Sequence, residues 1–158
     1  MSQTATPLET LRRLISAGEP FPTLRRLLSG AARLISVEEV APEAKPLFAA
    51  CLAAGEQAPV GVVAYSEEEA ERLHEGLVAF GLPSERTLLI PSMEGILFED
   101  GAPDWSALGN RLRGLTHLAL HRPCVAVMPL SAALVRTCPR AQFAAAVTEV
   151  STGERLDL

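Results

Sequence analysis

Val60-Gly-Val-Val-Ala-Tyr-Ser-Glu-Glu-Glu-Ala-Glu-Arg-Leu73 changes its period halfway along, and that change decides the fold. Val60 to Tyr65 is an almost continuous apolar run, as expected for a strand buried on both faces of a parallel sheet. Ser66 then stands where a helix N-cap belongs, with Glu69 three residues on to form a capping box. The helix begun there runs to about Phe80, before Gly81 and Pro83. A buried strand leading directly into a capped helix is half of a β-α-β unit.

The alternation continues in both directions. Upstream, Ala32–Val37 reads as a short apolar strand and Pro46–Ala54 as a helix closed by Gly55. Downstream, Thr87–Pro91 is a third strand and Trp105–His121 a long helix with Leu108, Leu112, Leu115 and Leu118/Ala119 on one stripe. Cys124–Met128 is a fourth strand and Leu130–Thr137 a further helix. The fold class expected is α/β, a three-layer arrangement about a mostly parallel sheet.

The ends read differently. Thr10-Leu-Arg-Arg-Leu-Ile-Ser-Ala-Gly18 is echoed by Thr23-Leu-Arg-Arg-Leu-Leu-Ser-Gly30. Thr6, Pro7 and Glu9 read as N-cap, N1 and N3 of a first helix, and Pro20 and Pro22 break the chain before a second. Residues 1–30 are therefore expected to be a helical preface and residues 31–140 an α/β lobe. Phe143–Val150, a Gly turn and Arg155–Leu158 read as a strand and the start of another element. Residues 141–158 are thus expected to open a second domain.

Composition narrows the function classes. The chain has 158 residues, 48% of them hydrophobic but only 4% aromatic, so small aliphatic side chains must build the core. No apolar run approaches the ~20 residues that span a bilayer, and no secretory pattern opens the chain. Cys51, Cys124 and Cys138 lack CxxC spacing, which suits a reducing cytoplasm and gives no metal knuckle. The net charge is −5, with +3 in residues 1–37, −11 in residues 38–104 and +3 in residues 105–158. An acidic middle repels a phosphate backbone, so duplex binding by this chain alone is not expected.

The candidate sites are sparse. After Ala32–Val37, where a P-loop would stand, the chain reads Glu39-Val-Ala-Pro-Glu-Ala-Lys45-Pro46. Against G-x-x-x-x-G-K-[ST], Glu39 and Ala44 replace the two glycines and Pro46 replaces the magnesium-holding hydroxyl, leaving Lys45 alone. These four residues are expected not to bind nucleotide. His117 and His121 have the spacing of a two-His metal face but no third ligand. His74 is expected to be exposed on a charged helix. Glu94, Glu99, Asp100 and Asp104 sit in an acidic segment at the carboxyl end of a strand, where α/β ligands bind, yet without a basic or nucleophilic partner. No catalytic residue, metal or cofactor is expected.

Three stretches in order resemble the UvrB-homology module of the bacterial transcription-repair coupling factor (Mfd) family: Val62–Leu73, then Ile90–Pro103 with Asn110–Arg113, then Cys124–Thr137 with Pro139. The resemblance spans roughly residues 30 to 158. It departs at Met93, Gly95 and Leu97, where the family carries Trp, Thr and Pro. It implies a degenerate P-loop, UvrB-like lobe that does not hydrolyse ATP. Ile90–Trp105 has no Tyr, so the lesion-probing hairpin of UvrB is not expected either.

The implied role is transcription-coupled nucleotide excision repair, with UvrA recruited through a neighbouring domain. RNA polymerase and DNA are engaged through parts of the family outside this sequence. The resemblance carries over no binding residues. Two other readings come from the residues themselves: a small α/β enzyme using the acidic segment 94–104, and a regulatory module docking through its Arg-rich N-terminus.

Overall fold

The computed structural model describes residues 6–30, 33–92, 104–148, 150, 152 and 153. Helix α1 (Pro7–Ala17) starts as its sequence dictates, with the Thr6 hydroxyl accepting the Glu9 amide at 3.2 Å. Helix α2 (Phe21–Leu28) follows, and a single 3-10 turn (Pro42–Ala44) leads into α3 (Lys45–Ala53). Strand β1 (Val60–Ala64) then enters α4 (Glu67–Ala79). Ser66 caps α4 by accepting the Glu69 amide at 3.2 Å. Strand β2 (Thr87–Leu89), α5 (Trp105–Ala119), β3 (Val125–Pro129), α6 (Leu130–Leu134) and α7 (Arg140–Ala145) complete the described elements.

The three strands form a parallel sheet in the order β1-β3-β2, so the last strand in sequence is the central one. Val125 faces Val60 on one side and Thr87 on the other. Side chains alternate between the two faces of a strand. Val60, Val62, Ala64, Val125, Val127 and Leu89 therefore share one face. They pack with Ala50, Ala53, Ala70, Leu73, Leu77 and Leu82 of α3, α4 and the turn after α4. Leu88, Ala126 and Ile90 point the other way and are also buried. Helix α5 covers them, approaching so closely that a Cβ on Gly114 would sit 2.4 Å from the Ile90 side chain. Helices thus flank both faces of the mixed α/β core. The cover is incomplete at β1, where Gly61 is open and Val63 is 55% exposed.

Arginines fasten the outer helices to this core. Arg12 Nε donates to the Phe80 carbonyl at the end of α4 at 2.8 Å, and Arg25 donates to the carbonyls of Ser16 and Cys51. Arg140 Nε donates to the Ala119 carbonyl at the end of α5 at 2.8 Å. The last carbonyls of a helix lack intrahelical donors, and a guanidinium both satisfies them and complements the helix dipole.

Several expectations are corrected. Arg33–Val37 is not a strand: Leu34 is 90% exposed, and Glu39 turns the chain with a left-handed φ of 60°. The paired carboxylates of Glu38 and Glu39 favour solvent over a sheet edge. Phe143–Thr148 is not a strand either, and Glu149 lies outside the described residues. Ala144 and Ala145 join helix α7, packed on α5, as suits the strongest helix former. Helix α6 stops at Leu134, short of Thr137. On the expected stripe of α5, Ala119 is buried and Leu108, Leu115 and Leu118 are half-buried, but Leu112 is exposed, and the other buried positions are Arg111 and Gly114.

The closeness of α5 to the sheet yields a paired prediction. Gly114→Ala gains up to about 1 kcal/mol of helix propensity, but overpacking against buried Ile90 costs roughly 1–3 kcal/mol, so the variant is net destabilised. Gly109→Ala, on the same helix with nothing within 4 Å of the added carbon, gains stability by up to about 1 kcal/mol. Urea midpoints moving in opposite directions are the expected result.

Candidate functional site

Ligands of open α/β sheets bind beyond the carboxyl ends of the strands. Here that region is formed by Tyr65–Ser66 after β1, Pro91–Ser92 after β2 and the Pro129–Leu130 junction where β3 ends. A helix N-terminus at such a place offers amides and a positive dipole end to an anion. At α4 that position is already taken. Glu69 accepts the Tyr65 amide at 2.9 Å through one carboxylate oxygen and the Lys45 ammonium at 2.7 Å through the other. Glu67 accepts the Ser92 amide at 3.3 Å, drawing the ends of β1 and β2 together. The Lys45 bond, then the Tyr65 amide, hold the Glu69 carboxyl below its ordinary pKa despite some opposing desolvation.

The four residues that the sequence sets against a phosphate-loop pattern each have another occupation. Glu39 makes the left-handed turn and Ala44 ends the 3-10 turn, its amide bonded to the Ala41 carbonyl at 2.9 Å. Lys45 is the cation of the Glu69 pair. Pro46 packs against α4, where a Cβ on Gly76 would lie 2.5 Å from it. Because Arg33–Val37 is not a strand, no strand delivers a loop onto these residues. The turn leads instead from an exposed segment, and Pro46 has no N–H to offer a phosphate. The depression bounded by Pro42, Lys45, Glu69 and Arg72 holds about 200 Å³, below the ~300 Å³ at which ligand pockets begin. The adjoining groove of about 340 Å³ is mainly apolar, with Val37, Val40, Phe48 and Val63 on its walls.

Beneath the same end lies a group that the apolar stripe concealed. Arg111, 5% exposed, donates to the Pro91 carbonyl at 3.1 Å and to the Ala132 carbonyl at 3.5 Å. Burial lowers its pKa. It ties the chain after β2 to α6 after β3, on the underside of the region a ligand would occupy. A buried guanidinium spent on two carbonyls has a structural role, and leaving those carbonyls unpaired costs stability.

The remaining candidates are distributed. Asp104 is the N-cap of α5, accepting the amides of Ser106 and Ala107 at 2.9 and 3.0 Å. Glu94, Glu99 and Asp100 lie outside the described residues. His74 is half-buried rather than exposed, with Nε2 donating to the Thr87 carbonyl at 3.0 Å, which ties α4 to β2. His117 is in α5, but His121 lies past its end with φ 58°. The His121 amide bonds to Leu118 and the Arg122 amide to His117, a Schellman closure with His in the left-handed position usually given to Gly. The two imidazoles therefore do not share a helical face, and among the described residues no group of three metal-ligating side chains occurs. Cys51 and Cys124 are buried, and burial raises both thiol pKa values against the opposing pull of nearby arginines. Cys138 is exposed. Among the described residues no helix is long and apolar enough to cross a membrane.

Comparison with protein-family models, with curated proteins and with solved structures finds no match to this chain.

His117 supplies a prediction about pH. Its Nδ1 is buried without a hydrogen-bond partner among the described residues. Desolvation first, then Arg122 and Arg113, lower its pKa. The unfolded chain takes up this proton near pH 6.5 while the folded chain resists it, so stability is full above that pH and declines as pH falls. His117→Phe flattens the decline in urea midpoint between about pH 7.5 and 5.5; an unchanged slope contradicts the assignment.

Proposed function

We propose that this chain is a non-catalytic scaffold lobe of the UvrB-homology type, with a role in transcription-coupled nucleotide excision repair. Its sheet is then the core of a degenerate P-loop lobe, working in the cytoplasm. It supports the recruitment of UvrA by a neighbouring domain and takes part in interdomain masking. RNA polymerase and DNA are met by other parts of such a factor. The resemblance of Val62–Leu73, Ile90–Pro103 and Cys124–Pro139 to that family supplies the identity of the partners.

One observation supports a scaffold over a catalyst. At the carboxyl end of the sheet the chain's own groups pair with one another, Glu69 holding the Tyr65 amide and the Lys45 ammonium. A triphosphate entering there would meet carboxylates, a lysine already paired with Glu69 and a proline without a donor. The use of Asp104 as a helix cap likewise counts against an acid–base role for the acidic segment.

Titration with a fluorescent ATP analogue and Mg²⁺ tests the non-catalytic reading, with no saturable binding expected; micromolar saturation overturns it. A chimera tests the repair reading separately. A coupling factor whose own lobe is replaced by this chain should keep UvrA recruitment and preferential repair of the transcribed strand. A folded chimera that loses both would refute the repair role.

A further inference from the structure

The repeated Thr-Leu-Arg-Arg-Leu motif divides its arginines. In each copy the first is used for folding: Arg12 holds the Phe80 carbonyl, and Arg25 holds those of Ser16 and Cys51. The second, Arg13 or Arg26, is exposed and makes no ion pair among the described residues. The leucine after it is exposed as well, Leu14 by 70% and Leu27 by 43%, and Leu11 and Leu28 add to the apolar surface. The two helices pack on each other and on α3, so one small unit carries five exposed leucines, Leu8 included, beside two uncommitted guanidinium groups. Scattered exposed leucines need no explanation, but an apolar patch edged by charge marks an interaction surface.

We propose that the exposed side chains of α1 and α2, Arg13, Leu14, Arg26 and Leu27 among them, dock an acidic amphipathic helix of another protein. The chemistry follows from complementarity: the leucines take an apolar stripe, and the guanidinium groups take carboxylates flanking it. A second copy fits poorly, because a two-fold contact would set Arg13 and Arg26 against their own kind. An anionic membrane fits poorly too, since recognition of acidic lipid uses clusters of about four to eight basic residues and this chain carries a net −5. Single-stranded nucleic acid would want stacking aromatics, whereas Phe21, the one aromatic residue of these helices, is buried, and a duplex would be repelled by a chain of net charge −5. This surface is independent of the carboxyl-end scaffold reading and stands or falls apart from it.

The test uses the whole chain and a fluorescein-labelled synthetic helix of about 20 residues, with leucines at i, i+3, i+4 and i+7 flanked by glutamates. Anisotropy should show saturable micromolar binding that weakens with salt. Arg13→Glu with Arg26→Glu, and separately Leu14→Ser with Leu27→Ser, should each weaken it at least about tenfold while leaving the melting temperature near that of the parent. If charge reversal perturbs the fold, Arg13→Gln with Arg26→Gln is the milder pair and should weaken binding in the same direction. The proposal is overturned by absence of saturation, by binding indifferent to these substitutions, or by equal affinity for a peptide with lysine in place of glutamate. It is equally overturned if phosphatidylglycerol vesicles bind in place of the peptide, or if sedimentation shows that the same residues drive self-association.

Discussion

Glu69 is the group on which the rest of the molecule turns. Its amide closes the Ser66 cap, one carboxylate oxygen takes the Tyr65 amide at the end of β1, and the other takes Lys45 from the start of α3. A single side chain thereby joins strand, helix and neighbouring helix at the end of the sheet where α/β proteins usually hold an anion. The Lys45 pair is partly exposed and as an ion pair contributes no more than about 1 kcal/mol. Its consequence is one of occupancy. A carboxylate already seated at a helix N-terminus supplies the negative charge that the dipole favours, and leaves little for a phosphate to gain.

The same economy governs the other polar ends. A three-stranded sheet with helices packed close to it leaves many carbonyls near the protein interior, and buried carbonyls must find donors. Arginine supplies them repeatedly: Arg12, Arg25 and Arg140 at helix ends, Arg86 at Pro123 and Glu56, and Arg111 beneath the sheet's carboxyl end. A planar fork of donors suits carbonyls that diverge from one another. The α1–α2 pair is held to the lobe in this way, together with the packing of Phe21 on Phe48 at 5.4 Å between ring centroids.

The stretch from Val60 to Leu73 was legible because local and tertiary demands agree there: apolar residues where both faces are covered, a serine where four amides need capping. Thr87–Leu89 and Val125–Pro129 were legible for the same reason. Arg33–Val37 and Phe143–Thr148 were misread because apolar character alone does not say whether a partner edge pairs with the segment. On α5 the stripe was legible except at Leu112, but the burial of Arg111 and Gly114 was not, because these serve carbonyl bonding and close approach to Ile90. His121 in a left-handed turn and His74 bridging to β2 leave no signature in spacing. At the candidate site the sequence showed that Glu39, Ala44 and Pro46 are poor partners for phosphate. It did not show that Lys45 is already held by Glu69, a residue 24 positions away.

The occupancy of the sheet's carboxyl end is tested most directly by following the Glu69 carboxyl carbon by NMR as pH is lowered. With Lys45 and the Tyr65 amide in place, Glu69 should titrate below the ordinary glutamate range, and Lys45→Ala should move it upward. Titration at the ordinary glutamate value in the parent chain, unmoved by Lys45→Ala, would contradict the account.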